Sequence, residues 1–259
     1  MRYWRIAYRF VGFFGIALTA LAHQLFRSLV LRRNRYQDRG DWAHFWAPFL
    51  LKLLNIQPTY VGKIPATGLL CCNHLSYVDI LVLFARHPFI FVSKSEVRGW
   101  PLIGWLTRLA GTLFINRQRK ADVVDLAPQF APVMQEKMVL VIFPEGTSTG
   151  GDRVLPFMSS LLQPAVQNKW PVASAWLGYT VENGCAAEDV CYWRDMTFFP
   201  HLINLFSQKS IQAKVIFNPP APSELDRKKL ALHLHDQVES IARREGVLAS
   251  DGKPPTPGQ

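Results

Sequence analysis

Gly68-Leu69-Leu70-Cys71-Cys72-Asn73-His74-Leu75-Ser76-Tyr77-Val78-Asp79-Ile80-Leu81-Val82-Leu83-Phe84-Ala85-Arg86 reads as a strand that ends at Asn73 and a helix that begins a few residues later. GLLCCN (68–73) is a short apolar run closed by Asn, the pattern of a strand buried on both faces. Ser76 and Asp79 form S-x-x-D, a helix start signal ahead of an apolar periodic stretch. Similar runs recur along the chain: FIFVSK (89–94), TLFIN (112–116), MVLVIFP (138–144), PVASAWL (171–177) and IQAKVIFN (211–218). Helix-like stretches lie between several of them, at 77–86, about 101–109, 121–136 and 157–168, with Pro128 and Pro132 kinking or breaking the third. This alternation predicts the α/β class: a single domain with a central mixed sheet flanked by helices. A charged amphipathic helix is expected over 225–245 and a disordered tail over 247–259. No internal repeat and no domain linker is evident.

Working outward to the N-terminus, residues 1–37 carry seven Arg and no acid. Phe10–Ala22 is uncharged, and thirteen helical residues cover only about 20 Å against a hydrocarbon core of about 30 Å. Extension to Phe26, with Arg27 snorkelling, gives a marginal span. A cleaved signal peptide, a spanning anchor and a helix lying in one leaflet all fit this pattern. The basic, amphipathic character continues past Ala22 in LFRSLVLRRNR, and a second apolar stretch rich in Trp and Phe runs from Trp42 to Ile56. A retained, membrane-associated helical hairpin over 1–58 is therefore expected, with the main domain over 59–246. Half of the chain is apolar (49%), which excludes a disordered protein. The net charge of +10 requires an acidic partner, and an anionic membrane surface fits Arg clusters that flank apolar helices. Nucleic acid is not expected, because no recognition motif accompanies the charge. The four Cys show no CxxC spacing, so they read as reduced thiols, and no metal site is implied.

Three segments carry candidate chemistry. Asn73-His74-Leu75-Ser76-Tyr77-Val78-Asp79 places a His just before a helix and an Asp in its first turn. On a regular helix residues five apart diverge by about 140°, so only a His in the preceding turn can fold back onto the Asp. Such a pair fixes the imidazole tautomer and leaves the other ring nitrogen to take a proton from a hydroxyl. Phe143-Pro144-Glu145-Gly146-Thr147 also lies beyond a strand end, where α/β sheets bind ligands. Gly111-Thr112-Leu113-Phe114-Ile115-Asn116-Arg117 brings a cation to another strand end.

In that order these segments resemble the signature of the glycerolphosphate acyltransferase family, the lysophosphatidate-acyltransferase (PlsC-like) type, over roughly residues 60–180. The resemblance implies the PlsC-like fold and transfer of a fatty acyl group from acyl-CoA or acyl carrier protein to a lysolipid hydroxyl, with no other cofactor. It implies His74 as general base and Asp79 as its orienting partner. Arg117, Glu145 and Gly146 would shape the acceptor head-group site, and Asn73 and Thr147 belong to the same motifs. It also implies membrane-associated N-terminal helices, at the cytoplasmic face of the inner membrane. One departure is informative: the family commonly continues F-P-E-G-T-R-S, whereas Ser148 stands here in place of the basic residue, with Arg153 the nearest substitute. The glycine-rich stretch from Gly150 and the run Asp195–Leu202 are more similar to the branch that acylates lyso-ornithine lipid, whose head group is an amino acid.

Two alternatives compete. Gly146-Thr147-Ser148-Thr149-Gly150 matches the G-x-S-x-G elbow of α/β-hydrolase esterases, with Asp195 and His201 in the matching order. The elbow needs a strand, a sharp turn and then a helix, and Pro144-Glu145 and Gly150-Gly151-Asp152 disagree with that. A peripheral protein that binds lipid without turnover would have no use for His74 and Asp79.

Overall fold

The computed structural model describes residues 2–100, 103–115 and 126–248. Two long helices come first, α1 (Arg2–Leu29) and α2 (Tyr36–Leu54). Asn55 ends α2 in the left-handed conformation (φ 55°), a role that Asn tolerates well. The chain then enters strand β1 (Ile56–Val61) directly. The remaining strands are β2 (Gly68–Cys72), β3 (Ile90–Lys94), β4 (Leu113–Ile115), β5 (Val139–Ile142), β6 (Val172–Val181) and β7 (Ile211–Phe217). They form one sheet in the order β1-β7-β6-β2-β5-β3-β4, parallel throughout except where β6 meets β7. The sheet is therefore mixed, as the sequence pattern predicts. Glycine is required where β2 begins: Gly68 has φ +102°, and a Cβ there would lie 2.1 Å from the Pro171 carbonyl oxygen.

Helices cover both faces. α3 (Val78–Phe84) and α8 (Phe198–Ser207) lie on the side of α1 and α2, while α5 (Ala127–Gln135), α6 (Gln163–Asn168) and α9 (Arg227–Arg244) lie on the other. The short helices α4 (Ile103–Leu109) and α7 (Ala186–Asp189) complete the described set. Strand alternation divides the core accordingly: Leu70, Cys72, Val139 and Val141 face α2 and α3, and Leu69, Cys71, Leu140 and Ile142 face α5 and α9. Each fully buried Leu or Ile contributes about 1.5–3 kcal/mol. Pro128 sits in the first turn of α5, where its missing N–H costs nothing, and only Pro132 is internal. The expected residues 121–125 of this helix lie outside the described set.

Four expectations meet differences. The second apolar stretch reads as helical to Ile56, but the helix stops at Leu54 and Ile56 opens β1. That strand lies at the sheet edge, which admits Pro58 and the polar Gln57 and Thr59. It also crosses the division at 58/59, and α2 buries Trp42, Ala43, Ala47, Leu51 and Leu54 in the same core as β2 and β5. The 157–168 stretch is a 3-10 turn (Ser159–Leu162) running into α6 rather than one helix. Val247 and Leu248, expected in the tail, pack on the core, and residues 249–259 lie outside the described set.

α1 docks on the domain along one side, burying Arg9, Ala17, Ala20, Gln24 and Arg27. Arg9 Nη1 donates to the carbonyls of Phe206 (3.1 Å) and Gln208 (2.6 Å), and Arg5 Nη1 donates to that of Ser207 (2.7 Å). These cations satisfy the open C-terminal carbonyls of α8. Arg27 lies 3.9 Å from Asp38. Part of the charge that the sequence suggests for lipid is thus committed inside the protein, while Arg2, Arg32 and Arg33 remain exposed.

Candidate active site

The strand ends of β2, β5 and β6 carry the site. Asn73 follows β2, and its side chain extends the β2–β6 ladder: Nδ2–H donates to the Leu177 carbonyl (2.8 Å) and Oδ1 accepts from the Leu177 N–H (2.7 Å). The backbone then turns, so that His74 lies outside α3 and Asp79 inside its first turn. His74 Nδ1 and Asp79 Oδ2 are 2.7 Å apart. Because a carboxylate only accepts, Nδ1 carries the proton and the neutral ring presents Nε2 as an acceptor. The imidazole stacks on Phe143 with ring centroids 4.1 Å apart, and its side chain is one-quarter exposed.

Asp79 is fully buried and saturated. Oδ2 also accepts the N–H groups of Leu75 (2.8 Å) and Ser76 (3.0 Å), and Oδ1 accepts the Tyr179 hydroxyl (2.7 Å). Burial, and then the adjacent carboxylate, push the Tyr179 phenol up, so it stays protonated and donates. Four donors on one carboxylate fix its position and therefore that of the imidazole.

Glu145 holds the same loop from below. Oε1 accepts the His74 N–H (2.9 Å) and Oε2 the Leu155 N–H (2.8 Å). Burial pushes this carboxyl up to about 7, while the two backbone N–H groups pull the other way. Glu145 is expected at the acceptor site and Asn73 belongs to the same motif set; in the structure their polar side-chain atoms bond to the protein's own backbone and brace the loop that carries His74. Gly146 makes the turn after β5 with φ +78°, its N–H donating to the Phe143 carbonyl (3.2 Å). Thr147 is exposed beside it. Arg117 lies outside the described residues.

The esterase arrangement does not assemble. The Ser148 hydroxyl donates to the Tyr192 carbonyl. His201 Nδ1 is 2.9 Å from the Tyr77 hydroxyl, and Asp195 is exposed. Arg153 is paired with Asp152.

Sequence reasoning missed Tyr179, Leu155 and the segment around Tyr192, and it named Phe143 only as a motif member, not as the ring that His74 stacks on. The apolar run reads as ending at Leu177, yet β6 continues to Val181, and Tyr179 shares the face of Ala175 and Leu177 that looks toward Asp79. Strand alternation extended by two residues would have found it.

An imidazole held by a buried carboxylate thus stands at the carboxyl ends of a mostly parallel sheet, and comparison with other proteins shows the family that shares this sequence and fold. The acyltransferase family model matches residues 57–178. A lyso-ornithine lipid O-acyltransferase of Pseudomonas aeruginosa is 33% identical over 232 residues, 89% of each chain. Another, from Rhodobacter capsulatus, is 36% identical over 161 residues, 59% of this chain and 57% of the relative. A 1-acyl-sn-glycerol-3-phosphate acyltransferase of Neisseria gonorrhoeae is 30% identical over 187 residues, covering 72% of this chain and 71% of the relative. The crystal structure of the 1-acyl-sn-glycerophosphate acyltransferase PlsC of Thermotoga maritima shares the fold, with a TM-score of 0.67 at 19% identity over 95% of this chain and 98% of that one. The chain belongs to the PlsC-like acyltransferase family. It is an acyltransferase of the class that transfers acyl groups other than amino-acyl groups, EC 2.3.1.

Proposed function

We propose that this enzyme acylates the hydroxyl of a lysolipid at the membrane surface, with lyso-ornithine lipid as the acceptor. The observation that carries the reading is the His74–Asp79 pair, with Nδ1 committed to the carboxylate and Nε2 left open. The acceptor hydroxyl donates to Nε2, which takes its proton as the oxygen attacks the thioester carbonyl of the donor. The charged imidazolium is stabilised by Asp79. The tetrahedral intermediate then collapses: the C–S bond breaks, and the leaving thiolate recovers the proton from Nε2. An ester and a free thiol result, with no acyl-enzyme, because the substrate oxygen is itself the nucleophile. The donor is acyl-CoA or acyl carrier protein, whose acidity suits a chain of net charge +10.

The choice of acceptor is supported by Ser148, which stands where a phosphate-binding cation would be, and by relatives at 33% and 36% identity named for lyso-ornithine lipid. Lysophosphatidate is the second reading, supported by the Neisseria relative. α1 is long and apolar enough to cross a bilayer. Its one-sided docking nevertheless favours a helix lying in one leaflet, since a helix held through Arg5, Arg9 and Arg27 is not free to be encircled by lipid. Val11, Phe14, Leu18, Leu25 and Leu29 form the exposed apolar stripe that would enter it, with Phe45 and Phe49 of α2 alongside. A thioester donor drawn from the cytoplasm would favour the cytoplasmic face for this leaflet.

The test is His74→Ala in purified enzyme reconstituted in vesicles, given a long-chain acyl thioester and each lysolipid in turn. Loss of ester formation is expected, and retained activity would overturn the mechanism. Lipid profiling of a deletion strain distinguishes the acceptors, by accumulation of lyso-ornithine lipid or of lysophosphatidate.

A further inference from the structure

The segment between β6 and α8 crosses the strand ends and is fastened to the loop that carries His74. The Tyr192 N–H donates to the Leu75 carbonyl (2.8 Å), and the Ser148 hydroxyl donates to the Tyr192 carbonyl. The Trp193 ring fills the space in front of Gly150, where a Cβ would come within 2.5 Å of Cζ2. Its Nε1–H is held by the Ala187 carbonyl at 2.9 Å. Gly150 is one residue from Thr149, whose N–H donates to the His74 carbonyl at 3.0 Å.

Arg194 follows this anchored Trp. It is exposed, adopts φ +53°, which is uncommon for a residue with a side chain, and lays its guanidinium carbon 3.7 Å from the Trp193 ring centroid. Among the described residues no ion pair includes Arg194, even with Asp195 next in sequence, whereas the nearby Arg153 is already paired with Asp152. Stacking fixes the plane of the guanidinium and leaves its N–H edges open, the geometry that receives a carboxylate or phosphate in bidentate fashion.

We propose that Arg194, held on the Trp193 ring, recognises the anionic part of the acceptor head group, a carboxylate or a phosphate. The proposal rests on the lysolipid-acylation reading above. It makes Arg194 a specificity-determining residue that binds the head group while His74 works on the hydroxyl.

The experiment uses the full chain reconstituted in phosphatidylcholine vesicles, with Arg194→Gln and Arg194→Lys variants. Acceptors are lyso-ornithine lipid, lysophosphatidate and uncharged monoacylglycerol. Arg194→Gln is expected to raise the KM for a carboxylate- or phosphate-bearing acceptor by at least about tenfold, about 1.4 kcal/mol. The kcat and the KM for the thioester and for monoacylglycerol should stay unchanged, and Arg194→Lys should fall between. A rise confined to lyso-ornithine lipid assigns a carboxylate; one confined to lysophosphatidate assigns a phosphate; a rise for both assigns anion recognition shared between them. An unchanged KM for both charged acceptors, or an equal rise for monoacylglycerol, overturns the proposal. Equilibrium binding of both charged lysolipids to His74→Ala, with and without Arg194→Gln, reads the site without turnover. If His74→Ala still turns over, the general-base reading fails while a binding loss on Arg194→Gln stands. If His74→Ala is inactive and Arg194→Gln binds normally, the Arg194 proposal alone fails.

Discussion

Asp79→Asn separates the charge of the His–Asp pair from its shape. The Leu75 and Ser76 N–H groups, at 2.8 and 3.0 Å from Oδ2, force an introduced amide to place its oxygen there, where it also receives His74 Nδ1. The amide nitrogen then faces the Tyr179 hydroxyl, which rotates to accept instead of donate. The imidazole keeps its tautomer, and the fold survives. What disappears is the negative charge opposite the imidazolium in the transition state. A hydrogen bond to a charged group is worth about 1.5–3 kcal/mol, so kcat/KM should fall by roughly 10- to 150-fold. Asp79→Ala is the poorer experiment, because it strips the acceptor from several buried donors at about 1–3 kcal/mol each and confounds catalysis with unfolding. The assay is release of free thiol from the acyl thioester in reconstituted vesicles, read with a chromogenic disulfide, beside thermal unfolding by circular dichroism. A kcat/KM within about threefold of wild type, less than 1 kcal/mol, would refute the role given to Asp79.

Three further outcomes are expected. The Glu145 carboxyl titrates at about 7 in the fold against 4.5 ordinarily, so the folded protein binds more protons across that window and loses stability as pH rises through it, by about 3 kcal/mol in all. Glu145→Gln lacks this titration, so the stability advantage of wild type over the variant should shrink between pH 4.5 and 7; a difference in Tm that does not change with pH would count against it. Ser148→Ala removes one hydrogen bond of about 1 kcal/mol from the segment at Tyr192 and should leave most of the activity, whereas an esterase would lose all of it in the same thiol-release and ester-hydrolysis assays. Arg9→Leu leaves the carbonyls of Phe206 and Gln208 without their donor and should lower thermal stability by about 1–3 kcal/mol while vesicle flotation stays intact, since Arg2, Arg32 and Arg33 still face outward; lost flotation with normal stability would reverse the roles.

The sheet was legible wherever its strands were buried on both faces, because β2, β3, β5 and β6 must then be nearly all apolar. β1 was not, since an edge strand tolerates Gln57, Pro58 and Thr59, and its order beside β7 is set by tertiary packing. The His74–Asp79 pair was legible because S-x-x-D marks a helix start, of which the structure realises one half: the Asp79 carboxylate accepts the Ser76 N–H, while the Ser76 hydroxyl makes no cap hydrogen bond. Contacts across the sheet were not: Tyr179 lies 100 residues from Asp79 in sequence, and no local pattern joins them. Nor does sequence reveal that Glu145 turns its carboxylate to the backbone of His74 and Leu155, because a motif names residue types and not the direction of their side chains. Charge misled in a similar way at α1, where Arg9 looks like a lipid-facing cation until the end of α8 is seen beneath it.

Asn55 alone separates α2 from β1, and its own groups are tied down: its side-chain amide donates to the Lys209 carbonyl at 2.9 Å, and its carbonyl accepts the Ile211 N–H at 3.1 Å. A joint of one pinned residue behaves as a bracket, not a leash. On the proposed seating of the helical pair in lipid, the height and tilt of the His74 site above the acyl chains would be set by the fold itself. Such a bracket would leave no freedom to pivot toward a substrate at another depth, and an acceptor would have to present its alcohol at the level of the His74 ring.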